Sequence, residues 1–289
     1  MIEGLLLLAA GAGAGLFGSL LGLGGGILIV PLLTLGFGLP LLTAVGISLI
    51  CVIVTSSAAA GVFLERRVAN LRLGMTLELF TACGAMVGGL VAFLLPARLL
   101  EGLFTALLMY VAITMVRRRE ASPAEPVGQT LPGAGDESER EAAARALRPP
   151  AERPARSFVD RLSGPEYRVR RIGFGVIGSV FAGVASALLG IGGGLIKVPV
   201  MHVVMGVPLR VATATSNLMI GITASASAII YLLRGGIDPY VAAPTAIGVF
   251  VGASVGSRIA SRIDLRVLRG LFVAILLYTA WQMLQRAIA

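Results

Sequence analysis

Acidic side chains are nearly missing from the long apolar stretches of this 289-residue chain, and Glu78 is the carboxylate that lies clearly inside one. Charged residues make up 13% of the sequence, about half the share usual for a soluble domain. That shortage excludes an ordinary soluble core-and-shell protein. Proton- and cation-coupled carriers place carboxylates along their pathway, so their scarcity also argues against a carboxylate relay. The one histidine, His202, cannot complete a Ser-His-Asp set, and no metal cluster or carboxylate pair stands in the apolar stretches. An enzyme is therefore not expected, and neither is a cofactor. His202 itself reads as a packed or interfacial residue, with proton shuttling as the alternative. The two cysteines, Cys51 and Cys83, show no CxxC or metal spacing and read as small buried hydrophobes.

Hydrophobic residues make up 56% of the chain. Several apolar stretches exceed the roughly 20 residues that cross a bilayer as a helix. The expectation is an all-α integral membrane protein, multi-pass, with lipid as its surroundings. The net charge is +9, but the arginines crowd into loops and no basic surface interleaved with aromatics appears, so nucleic acid is not an expected partner. The thirty-eight glycines suit close helix packing in lipid. Gly84-xxx-Gly88 and Gly252-xxx-Gly256 have the small-xxx-small spacing common at such contacts, and they leave a homodimer open.

One gapless pattern occurs twice, 168 residues apart, with its register kept from Gly15/Gly183 to Tyr110/Tyr278. Each copy carries a glycine knot followed by a proline. The first reads Gly22-Leu23-Gly24-Gly25-Gly26 before Pro31, and the second Gly190-Ile191-Gly192-Gly193-Gly194 before Pro199. The predicted organisation is about eight transmembrane helices in two tandem four-helix repeats. Knot and proline should break the first helix of each repeat. Residues 1–116 form the first repeat and 172–289 the second, and the N-terminal stretch reads as a retained first span rather than a signal peptide. Residues 117–171, rich in proline and mixed charge, are expected to be a polar, largely disordered linker.

Positive charge places that linker in the cytoplasm, together with both termini and the 65–72 loop. Arg258, Arg262, Arg266 and Arg269 run against this orientation, because they cluster on the opposite side.

A helix restarting after a glycine knot presents unpaired N–H groups and a positive dipole end, which suit an anion. Two knots related by pseudo-symmetry would converge on one small anionic substrate. The candidate substrate-binding residues are Gly24, Gly25, Gly26 and Ser48 in the first repeat. In the second they are Gly192, Gly193, Gly194, Lys197, Ser216 and Asn217. Ser48 and Ser216 each begin a span near a knot, and Asn217 is costly to bury unpaired. The matching hydroxyls Thr55/Thr223 and Ser57/Ser225 read more simply as bonded to their own i−4 carbonyls. Lys197 replaces the Ile29 of the first repeat. It either supplies positive charge to the anion or snorkels to a headgroup region.

At the paired knots, the following Pro31 and Pro199, and the Thr/Ser-rich starts after Pro40 and Pro208, the chain resembles the TauE/SafE family of sulfite exporters. The resemblance covers both repeats. It implies a carrier of the bacterial inner membrane, with sulfite, thiosulfate, organosulfonates or small organic anions as the substrate class. The expected function is export of sulfite or an organosulfonate; the alternative is uptake of thiosulfate or another small sulfur-containing or organic anion. The long linker departs from the family pattern, and Lys197 matches no family-wide feature.

Overall fold

The computed structural model describes residues 2–20, 26–65, 69–117, 169–259 and 265–288. The expected 117–171 linker lies almost wholly outside them. The described residues form helices and no strand. In chain order these are α1 (Ile2–Leu20), α2 (Gly26–Pro31), α3 (Leu41–Glu65), α4 (Leu71–Ala92), α5 (Ala97–Arg117), α6 (Ile172–Leu189), α7 (Gly194–Pro199), α8 (Leu209–Leu233), α9 (Pro239–Ile259) and α10 (Leu265–Ile288).

Five helices among the described residues are long and apolar enough to cross a membrane, against the expected eight spans. They cover Leu71–Ala92, Ala97–Val116, Ile172–Leu189, Val211–Leu233 and Pro239–Gly256. Large apolar side chains face outward along them. Met75, Leu79, Met86 and Leu90 do so on α4, as do Phe174, Ile177 and Phe181 on α6. Such a continuous apolar exterior suits lipid and would be a liability in water. Cys51 is buried as expected, but Cys83 is exposed, because it lies on this outward face of α4 between Leu79 and Val87.

The prolines do not end their helices as expected. Pro31 and Pro199 sit inside helical turns, and the chain continues as π-helical segments at Leu32–Gly36 and Val200–Val204. Each proline lacks an N–H, so one i→i−4 bond is lost, and a local widening accommodates the change without a break. Both segments close through Leu39 N–H to Leu33 O (3.1 Å) and Val207 N–H to Met201 O (3.0 Å). His202 Nδ1 lies 2.9 Å from Val207 O at the second of these turns.

Glycines set how the helices cross. A Cβ on Gly88 would come within 2.7 Å of the Val184 backbone, and one on Gly11 within 2.6 Å of Thr245 O. Gly84 and Gly183 likewise meet the backbones of Val180 and Thr81, joining α4 to α6. Gly15, Gly248 and Gly252 meet Val249, Leu8 and Ala12, joining α1 to α9. The opening helix of each half is thus clasped by a helix of the other half. Small residues permit this backbone approach, as in membrane helix pairs generally. In the centre, α3 packs on α8, and the short α2 and α7 lie against them.

Candidate functional site

Helix α6 ends where Gly190 turns left-handed (φ 68°), with its N–H on Ser186 O at 2.9 Å. Gly192 (φ 72°) and Gly193 (φ 74°) share that conformation, which costs a side-chain-bearing residue about 1–2 kcal/mol. Three glycines therefore allow a reversal that other residues resist. The chain restarts at Gly194. Gly193 O accepts from Ile196 N–H (3.2 Å) and Lys197 N–H (3.1 Å). No acceptor among the described residues takes the N–H of Gly193 or Gly194.

The start of α2 meets this knot directly. A Cβ on Gly26 would lie 2.9 Å from Gly190 O. Ser48 on α3 seals the junction, with its hydroxyl 2.8 Å from Gly190 O and 3.1 Å from Gly26 O. Gly24 and Gly25, also expected at the site, lie outside the described residues.

Two hydroxyls border the second knot. Ser216 Oγ lies 3.6 Å from the point a Cβ on Gly194 would occupy, and Ser186 Cβ lies 3.3 Å from the same point on Gly193. Ser186 is fully buried and Ser216 is 1% exposed. Neither hydroxyl has a hydrogen-bond partner among the described residues. A buried, unpaired polar group costs about 1–3 kcal/mol, so two at one break call for a reason. Opposite them, Ile220 and Val52 pack against Gly192.

Gly26, Ser48, Gly192, Gly193, Gly194 and Ser216 thus gather at one place. Asn217 is half-buried, and its backbone carbonyl accepts from Ser56 Oγ at 2.8 Å, joining α3 to α8. Lys197 leaves α7 one turn beyond the knot and stays inside the protein. Its Nζ lies 3.0 Å from Glu78 Oε2 and 2.5 Å from Thr223 Oγ1. Thr223 Oγ1 lies 2.6 Å from Glu78 Oε1 and 3.1 Å from Met219 O. Its counterpart Thr55, with Ser57 and Ser225, makes the expected i−4 carbonyl bond. Thr223 makes that bond too, but also joins the charged pair.

Glu78 and Ser186 are not among the site residues expected from the sequence. Glu78 carried a signal, since it and Lys197 are opposite charges that both lie in apolar stretches. Ser186 carried none, because its position in the first half is Gly18.

The family model described as sulfite exporter TauE/SafE matches residues 7–283. A curated relative, the probable membrane transporter protein YunE of Bacillus subtilis (strain 168), is 23% identical over 254 residues. That alignment covers 86% of this chain and 85% of the relative. No solved structure matches.

Proposed function

Since the chain belongs to the sulfite exporter TauE/SafE family of membrane transporters, we propose that it carries small anions across the bacterial inner membrane, as an exporter of sulfite or an organosulfonate. The observation that carries this reading is the second knot, where among the described residues neither the Gly193 and Gly194 N–H groups nor the buried Ser186 and Ser216 hydroxyls have a hydrogen-bond partner. Donors of this kind recognise an oxyanion without a cationic side chain. In a negative-inside cell, outward movement of an anion releases about 2.3 kcal/mol per charge per 100 mV, so export needs no coupling ion. Uptake of thiosulfate or another small anion at the same site would need one.

We read the chain as two repeats of four spans each. The bounds of α2, α3, α7 and α8 support this, because each pair is offset by the same 168 residues. The knots then lie near the midplane, where broken helices of paired repeats commonly place transporter sites.

The test is protein-dependent flux of labelled sulfite, methanesulfonate and thiosulfate in proteoliposomes, for the natural chain and for Gly194→Ala. The added methyl would meet Ile220 Cδ1 and touch Ser216 Oγ at ordinary contact distance, without requiring a left-handed φ. Flux of at least one anion, lost in the folded variant, is the expected result. Normal flux in Gly194→Ala would mean the knot only shapes the helix.

A further inference from the structure

Glu78 on α4, Lys197 on α7 and Thr223 on α8 form a closed ring deep in the protein. The side chains of the ion pair are 4% and 1% exposed. Each carboxylate oxygen has its own donor. Lys197 Nζ–H donates to Oε2 at 3.0 Å, and the Thr223 hydroxyl donates to Oε1 at 2.6 Å. Lys197 also donates to Thr223 Oγ1 at 2.5 Å, locking the two donors side by side. A sulfonate or sulfite would present two oxygens to these donors in the same way.

The fold does not require the pair. The positions offset by 168 residues from Lys197, Glu78 and Thr223 are Ile29 in the first half, Ala246 in α9 of the second half, and Thr55 in the first half. Ile29 is fully buried and Ala246 nearly so. Helices α2 and α7 are six residues each, and α3 and α8 are 25 each. The same framework is therefore built once with a charged pair and once with apolar groups. Replacing buried ion pairs by apolar residues is often neutral or stabilising, so stability gives little reason to keep one. An ionisable group within a membrane helix marks function by default.

We infer that Lys197 and Thr223 form an oxyanion-binding subsite, and that Glu78 is a tethered competitor holding it in the empty carrier. The travelling anion displaces the Glu78 carboxylate, and the carboxylate reclaims Lys197 when the anion leaves. Lys197 extends from the turn that begins at the second knot, and Thr223 lies two turns along α8 from Ser216, on the same side. The subsite therefore adjoins the proposed anion path. The inference rests on the anion-carrier reading, and it assigns Glu78 the role of a positioning residue that tunes affinity.

The experiment measures half-saturating concentrations for sulfite, methanesulfonate and thiosulfate in proteoliposomes of the full chain. Glu78→Gln keeps the shape but removes the competing charge. It should lower the half-saturating concentration at least about ten-fold, in the range typical of coupled sites, and slow maximal flux as release becomes harder. Glu78→Asp preserves net charge and withdraws the carboxylate by one methylene, so it should shift affinity in the same direction. Lys197→Met should weaken affinity for every anion carried. Unchanged or weaker affinity in whichever Glu78 variants remain monodisperse would overturn the inference. Failure of both to insert would make the pair a folding element and overturn it equally. If no anion moves through the natural protein, the carrier reading falls and takes the competitor with it. Flux with unaltered affinities defeats the competitor alone.

Discussion

The Ser48 hydroxyl stands 2.8 Å from the carbonyl of Gly190, although 142 residues separate them in the chain. It stands 3.1 Å from Gly26 O as well. A single serine on α3 therefore ties the restart of α2 to the break after α6. Its counterpart in the other half, Ser216, makes no such tie among the described residues. The two serines occupy matching positions and do different work, one holding the frame and the other facing the knot.

That difference is measurable. Ser48→Ala removes the hydroxyl that joins the Gly26 and Gly190 carbonyls and should cost about 1–3 kcal/mol of stability, read as a lower thermal midpoint in detergent. Ser216→Ala removes a hydroxyl that has no partner among the described residues, so the midpoint should hold or rise while anion flux falls. Equal losses of stability in the two variants would place both serines in the frame.

At the knot itself, Gly193→Ala should be harsher than Gly194→Ala. Gly193 is left-handed and its added Cβ would come within 2.8 Å of Ala182 O. Backbone cannot yield as a side-chain tip can. Gly193→Ala is expected to lower the thermal midpoint, whereas Gly194→Ala keeps the fold and loses flux. A Gly193→Ala protein as stable as the natural chain would contradict the geometry of the break.

The charged pair yields a prediction about stability as well as affinity. Lys197→Ile leaves Glu78 buried without its cation and should destabilise by about 3–5 kcal/mol. Adding Glu78→Ala recreates the Ile/Ala combination found at the equivalent positions Ile29 and Ala246, and most of the loss should return. A double-mutant cycle by thermal unfolding checks this. Strict additivity of the two substitutions would mean that the contact between them carries no energy.

Helix crossing is a further target. Gly88→Leu places a branched side chain where Val184 backbone lies within 2.7 Å of even a Cβ. Overpacking of this kind costs about 1–3 kcal/mol or more. The expected result is poor yield of monodisperse protein. Met86→Leu, on the exposed face of the same helix, should have no effect.

Much of the candidate site was legible because it is local. Positive φ demands glycine, so the run Gly190-Ile191-Gly192-Gly193 announced a reversal before any contact was known. The repetition of that run linked Gly26 to Gly194 as helix starts. The prolines misled, because a missing N–H can be absorbed by a π-helical turn as well as by a break, and sequence does not choose between them. Lys197 stood out as a charge in an apolar stretch, but its two readings stayed open because its partner lies 119 residues away.

The chain by itself determined which segments are apolar enough to pack as helices and where glycine lets the backbone turn. Both follow from properties of single residues and their neighbours. It also set the small-residue positions at which helices approach closely. Only the tertiary structure decided which helices those positions join, α1 with α9 and α4 with α6. It alone brought Gly26 to Gly190, Lys197 to Glu78, and Ser186 and Ser216 to one knot. These pairings cross more than a hundred residues or join separate helices. They depend on the mutual fit of whole helices, which no local pattern encodes.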